Sequence, residues 1–103
     1  MIVEMRTYTL HVGRVAEYLR IYEAVGLETQ KRILGKLVGY YTAETGDLNQ
    51  VIHMWGYEDM VDRTARRTAL FKDPVWLAYI PKIGPLLLAQ ESRILNPARF
   101  FTP

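Results

Sequence analysis

Two strand-like segments joined by a short turn most constrain the fold of this chain. Residues 36–45 and 50–57 are rich in valine, isoleucine, threonine, tyrosine and tryptophan, the residue types that favour strands. Only Gly46 to Asn49 separate them, a connection whose length and composition are typical of a hairpin turn. We therefore predict an antiparallel hairpin in the middle of the chain.

A strand and a helix are predicted before this hairpin. Residues 2–10 are rich in β-branched and aromatic types and form the predicted first strand. After Gly13 the apolar residues recur at the spacing of one helix face, at Val15, Tyr18, Leu19 and Tyr22. Gly26 weakens this helix, helical character resumes through residues 27–33, and Gly35 is the expected C-terminal stop.

Two helices and then a strand are predicted after the hairpin. A helix begins at Glu58 and Asp59, runs to about Lys72, and contains two acid–base pairs four residues apart, Asp59 with Arg63 and Asp62 with Arg66. Asp73 and Pro74 start a short second helix that we expect Pro81 to break. Residues 86–96 form the last predicted strand, and a tail, residues 98–103, follows Pro97.

The order of these elements, βαββαβ, defines the expected fold class. It is the ferredoxin-like α+β arrangement, a four-stranded antiparallel sheet with helices on one face. With 103 residues and 12.0 kDa, we expect one domain that covers residues 1–103.

Both faces of the predicted sheet carry apolar side chains, which predicts association. The second strand offers Val38 and Tyr40 on one face and Leu37 and Tyr41 on the other, and the last strand offers Leu87, Ala89 and Leu95 against Leu88 and Ile94. One helix layer covers only one face of a sheet, and a bare apolar face is an association surface. We therefore expect a homodimer through the sheet faces. We also expect Phe100 and Phe101 in the tail to pack on the body or on the partner chain.

Composition excludes several classes of site and partner. The chain has no cysteine and two histidines, so we expect no structural zinc site, no other metal and no cofactor. Basic and acidic residues, 13 against 11, are interspersed, which disfavours nucleic-acid binding. No apolar run reaches the length of a membrane span, no signal peptide is apparent, and a cytoplasmic location is expected.

Three motifs resemble one family. They are Glu4-Met-Arg6-Thr-Tyr8, then Leu48-Asn-Gln-Val-Ile-His53-Met-Trp55-Gly-Tyr57, then Glu91-Ser-Arg93-Ile-Leu95. In order and at this spacing they are similar to the NIPSNAP family, over essentially the whole chain. The resemblance implies a ferredoxin-like dimeric α/β-barrel, a fold shared with small monooxygenases, isomerases and haem-degrading proteins. It implies no defined activity. The mitochondrial and vesicle-traffic roles of the animal members are not carried over to this shorter chain.

The same motifs provide the candidate binding site. Glu4, Arg6 and Tyr8 share one face of the first strand, His53, Trp55 and Tyr57 share one face of the third, and Glu91 and Arg93 share one face of the last. If the registers match, these faces form one polar and aromatic patch, against either the helices or a dimer partner. In that patch His53 is a candidate general base, Arg6 a candidate holder of a carboxylate or enolate, and Trp55 and Tyr8 candidate stacking partners. The alternative is a structural ion-pair network around His53.

Three functions remain open at this point. The first is a homodimer that binds a small, largely apolar molecule between helices and sheet. The second is a cofactor-independent monooxygenase or isomerase that acts on an aromatic or enolisable substrate, and the third is a protein-interaction module without a small-molecule site. On the helix that begins at Glu58, Arg63, Arg66 and Arg67 are expected to form a solvated, ion-paired face rather than an anion site. His11 is expected to be a loop residue rather than a haem ligand.

Overall fold

The chain folds into four strands and four α-helices. The computed structural model describes residues 1–103. In chain order the elements are β1 (Ile2–Leu10), α1 (Val15–Ile21), a π-helical turn (Tyr22–Gly26), α2 (Leu27–Leu34), β2 (Lys36–Thr42), β3 (Gln50–Tyr57), α3 (Met60–Leu70), α4 (Pro74–Ile83), a 3₁₀ turn (Gly84–Leu86) and β4 (Leu87–Leu95). This βαββαβ order confirms the ferredoxin-like α+β fold.

The strands form one antiparallel sheet in the order β2-β3-β1-β4. The two central strands are β1 and β3. Arg6 on β1 lies opposite His53 on β3 and opposite Ser92 on β4. This register decides which side chains of the three motifs meet, because side chains on directly opposed residues point to the same face.

The helix ends follow the predicted signals. Gly35 ends α2 with a φ of 92°, a conformation that glycine adopts without strain. The Asp59 side chain caps α3 by accepting from the N–H of Asp62, and Asp73 caps α4 by accepting from the N–H groups of Val75 and Trp76. Each cap satisfies backbone donors that have no partner inside the helix.

Two local expectations were wrong, and the prediction for the tail is left with one of its two alternatives. Pro81 does not break α4, which continues to Ile83, since burial of residues on both sides of the proline, Trp76, Tyr79 and Ile83, holds the helix together. Asp59 caps its helix instead of pairing with Arg63. The tail phenylalanines do not pack on the body of the single chain, where Phe100 is 91% exposed and Phe101 is 58% exposed, so packing on the partner chain stays a prediction.

The core lies between the helices and one face of the sheet and is mostly aromatic. Its largest fully buried side chains are Trp55, Tyr18, Tyr57 and Tyr79. Tyr18, Tyr22 and Tyr40 form a stack in which neighbouring ring centroids are 6.1 and 4.8 Å apart. The π-helical turn holds Tyr22 in this stack, where its hydroxyl donates to Gln30.

The opposite face of the sheet has no helix on it. Met5, Ile52 and Met54 lie on this open face and are only half-buried, and Tyr41 beside them is 57% exposed. The molecule measures 38 by 35 by 19 Å, a flat shape expected for one sheet under one helix layer. None of the helices is long and apolar enough to cross a membrane.

Candidate functional site

Glu4 is the most heavily hydrogen-bonded side chain of the site. It is completely buried, and its carboxylate accepts from Arg63 Nε and Nη2 at 3.0 and 2.8 Å, from Arg6 Nη1 at 3.0 Å and from the Ser92 hydroxyl at 2.5 Å. Burial opposes ionisation, but the hydrogen bonds from Arg63 and Ser92 and the charge of Arg6 together lower the pKa of Glu4 to about 2. Glu4 therefore stays ionised at neutral pH and anchors α3 and β4 to β1.

Arg6 connects this carboxylate to the edge of the sheet. Its Nε donates to the Tyr8 hydroxyl at 3.2 Å, and its Nη2 donates to the Gln90 side-chain oxygen at 3.4 Å. The Arg6 side chain is 12% exposed, so solvent reaches it, whereas Glu4 is completely buried. Burial opposes its charge, yet Tyr8 and Glu4 raise the pKa of Arg6, and it remains a cation.

His53 lies deeper, inside a shell of aromatic rings. It is 1% exposed, stacks on Tyr40 at 4.9 Å and meets the Tyr8 ring edge-on at 4.8 Å. Its Nδ1 accepts from the Trp55 indole N–H at 2.7 Å, whereas its Nε2 has no hydrogen-bond partner. Burial, then the positive charge of Arg6, lowers the pKa of His53 to about 3. The ring is therefore neutral and carries its proton on Nε2.

This state of His53 does not fit a general base at neutral pH. A base needs a free acceptor nitrogen and a pKa near the working pH. In His53 the acceptor nitrogen is already bound to Trp55, and the pKa lies far below neutrality. The group that His53 offers is instead an N–H donor without a partner.

The polar and aromatic patch faces the helices. Six of the seven predicted binding residues lie on that side of the sheet: Glu4, Arg6, Tyr8, His53, Trp55 and Tyr57. The Tyr57 hydroxyl is buried without a partner, and burial raises the pKa of Tyr57 to about 12. The strand registers thus bring these six residues together.

Glu91 is the residue that the structure does not bring to the patch. It lies opposite Thr7, on the open face, where it is exposed and pairs with Arg93 at 2.6 Å. Because side chains alternate along a strand, its neighbours Gln90 and Ser92 point to the helix side and contact Arg6 and Glu4.

Sequence reasoning therefore missed three members of the cluster, Arg63, Gln90 and Ser92. For Gln90 and Ser92 the missing information was the register of β4, since Glu91 and its two neighbours occupy opposite faces. For Arg63 the pattern of paired charges along α3 indicated a local partner, whereas the true partner is Glu4 on β1.

A groove opens next to this cluster, between α4 and β4. Its volume is about 460 Å³, and it is lined by Ile80, Ile83, Gly84, Leu87, Leu88, Ala89 and Gln90. Gln90 belongs both to the groove and to the hydrogen-bond network of Arg6. The groove therefore joins an apolar lining to the exposed end of the polar cluster. No group of three or more histidine, aspartate or glutamate side chains converges as a metal site would require.

The fold and this motif set define a class, a ferredoxin-like domain with a buried Glu–Arg–His cluster under its helices. The NIPSNAP family model matches residues 3–102, and the chain belongs to the NIPSNAP family. A NipSnap homolog from Dictyostelium discoideum is 31% identical over 96 residues, which are 93% of this chain and 42% of that protein. Human NipSnap homolog 3A is 37% identical over 95 residues, 88% of this chain and 37% of that protein. The chain thus spans less than half the length of these relatives.

Solved structures agree with the fold. A NIPSNAP family protein of unknown function from Agrobacterium tumefaciens is 44% identical, with a TM-score of 0.96 over 98% of this chain and 91% of that one. A NIPSNAP domain protein from Burkholderia xenovorans is 43% identical, with a TM-score of 0.95 over the full length of both chains. A putative antibiotic biosynthesis monooxygenase from Nitrosomonas europaea has a TM-score of 0.69 at 9% identity over 94% of this chain and 98% of that one, a likeness of fold alone.

Proposed function

We propose that the protein is a homodimer that binds a small, largely apolar molecule in the groove between α4 and β4. The position of Gln90 carries the ligand part of this proposal. Gln90 lines a groove whose other side chains are apolar and also accepts a hydrogen bond from Arg6, so a ligand in the groove would meet apolar side chains and one polar group. This combination is typical of small-molecule sites.

The lining of the groove supports an apolar occupant. Ile83 is buried and Ile80 and Leu87 are half-buried, so together they form a wall and floor. Leu88 at the rim is 64% exposed. Burial of this leucine side chain by an apolar ligand would contribute favourable free energy to binding. The volume of about 460 Å³ lies within the range of small-ligand sites, roughly 300–1,000 Å³.

The open sheet face supports the homodimer. Met5, Ile52 and Met54 lie near its centre on the two inner strands, half-buried and without a covering layer. A second copy related by a two-fold axis brings the same apolar patch against them and completes a second core.

A groove variant with a matched control tests the ligand part. The probe is Nile red, a neutral apolar dye whose fluorescence rises on burial. Ile80→Ser places a hydroxyl in the groove and should weaken dye binding several-fold, whereas Leu48→Ser, at an exposed leucine in the hairpin turn, should leave it unchanged. Equal dye binding by both variants would overturn the groove as the site.

The enzyme alternative has one favourable observation. Arg6 is a partly exposed cation that donates to Gln90, a residue of the groove lining, and a cation beside the groove would stabilise the oxygen of an enolate. His53 is not available as the base that removes the proton, so another group would have to do this. An isomerase or monooxygenase is therefore the second candidate and not the first. Solvent deuterium exchange into acetophenone, followed by NMR and compared with Arg6→Gln, tests it: no exchange above background would exclude this enolisation.

A further inference from the structure

Arg67 on α3 differs from every other arginine near the site. Arg6 and Arg63 pair with Glu4, and Arg66 pairs with Asp62 at 2.9 Å. Arg67 is half-buried and has neither an ion-pair nor a hydrogen-bond partner, and its guanidinium lies over the Phe71 ring at 5.6 Å. The expected ion-paired face is therefore present at Asp62 and Arg66 and absent at Arg67.

A half-buried guanidinium without a counter-ion costs free energy, because burial removes water that no carboxylate replaces. The same loss of water, together with the positive charge of Arg6, lowers the pKa of Arg67. Glu4 already serves two arginines, so its charge does not balance the third. This part of the molecule therefore has an excess of positive charge.

A groove of about 450 Å³ runs along this face of α3. Its lining is Arg63, Thr64, Arg67, Thr68, Phe71 and Lys72. Cationic donors, two hydroxyls and a phenylalanine ring that is 46% exposed therefore converge on one space. No carboxylate lines it, although the chain has 11 acidic residues.

We propose that this groove on α3 is a binding site for a small organic oxyanion, a carboxylate or phosphate carried on an aromatic ring, with Arg67 as its counter-ion. A guanidinium offers two parallel donors that match either group, and the exposed Phe71 ring provides the apolar contact for the body of the ligand. This site is distinct from the apolar groove between α4 and β4 and does not depend on it.

The test uses the full chain and four probes, each titrated with detection by NMR: benzoate, phenyl phosphate, inorganic phosphate and the neutral benzyl alcohol. We expect both aromatic anions to bind more tightly than inorganic phosphate and than benzyl alcohol. Arg67→Gln should weaken the aromatic anions about tenfold or more, the loss expected for a charge-assisted hydrogen bond. Arg20→Gln, which removes an exposed arginine without an ion pair on α1, is the matched control and should bind as the wild type does.

Three outcomes would overturn the proposal: absence of anion binding to the wild type, equal losses in Arg67→Gln and Arg20→Gln, or benzyl alcohol binding as tightly as benzoate. Inorganic phosphate binding as tightly as phenyl phosphate would overturn the aromatic body of the ligand. The thermal unfolding of each variant checks that the fold persists. Nile red binding, measured in the same samples, separates failure of this site from failure of the apolar groove.

Discussion

Trp55 donates its indole N–H to Nδ1 of His53 at 2.7 Å, and both residues are buried on the same strand. Residues two apart on a strand share a face, so β3 itself sets this contact. It fixes His53 as a neutral ring with its proton on Nε2. The residue that the sequence made the leading candidate for a base is thereby turned into a donor.

Substitution of Trp55 tests the value of this contact. Trp55→Phe leaves His53 Nδ1 buried without a donor and should destabilise the protein by about 1–3 kcal/mol beyond the loss of ring volume. Trp76→Phe is the matched control, since Trp76 is also buried but its indole N–H has no partner. Urea unfolding measures both variants, and an equal loss of stability in the two would refute the role of the hydrogen bond.

The protonation of His53 predicts a dependence of stability on pH. Its pKa is about 3 in the folded protein against 6.5 for a free histidine, so the unfolded chain binds a proton that the folded chain does not. Stability is therefore fully present above pH 6.5 and falls as the pH drops below it, by about 2 kcal/mol at pH 5. Urea unfolding at pH 7 and pH 5 should show this loss in the wild type and a smaller one in His53→Gln. A wild-type stability that does not change between these pH values would contradict the buried neutral state.

Glu4 is expected to contribute more to stability than any exposed acid. Glu4→Gln removes the charge that Arg6 and Arg63 share and should cost about 3–5 kcal/mol, as for other broken buried ion pairs. Glu91→Gln breaks the exposed pair with Arg93 and should cost about 1 kcal/mol or less. Chemical unfolding of both variants measures the difference, and comparable small losses would show that the Glu4 network is not a structural anchor.

The order of elements and the topology of the sheet followed from the sequence, because hydrophobic period, turn residues and helix caps are all local signals. Most of the site followed too, since residues at alternate positions of β1 and β3 had to share a face. Sequence signals did not reveal the register of β4, because that register depends on how the whole sheet packs. The register decides whether Glu91 or Ser92 points to the helix side of the sheet.

Long-range partners of charged side chains were equally hidden. Asp59 and Arg63 are four residues apart on one helix, and spacing alone favours a local pair. In the structure the Asp59 carboxylate accepts a backbone N–H, and α3 packs so that Arg63 reaches Glu4. Competition between a cap and a salt bridge, and the docking of a helix on a sheet, are decided by tertiary packing.

The C-terminal tail is expected to act in the dimer. It extends from β4 to the far edge of the sheet, where Lys36 Nζ donates to the Pro103 carbonyl at 2.9 Å, yet Phe100 remains 91% exposed. Burial of Phe100 against a second copy would account for this exposure. Removal of residues 98–103 should therefore raise the dimer dissociation constant, measured by sedimentation, while the stability of the monomer changes little. An unchanged dissociation constant would mean that the tail makes no contact across the interface.

Native mass spectrometry with excess Nile red tests the proposed dimer and its ligand together, because one spectrum reports both the assembly and the bound dye. We expect a species of twice the 12.0 kDa chain mass that carries bound dye, with the dye lost in Ile80→Ser and retained in Leu48→Ser. A 12.0 kDa monomer, or a dimer that carries no dye, would contradict this expectation.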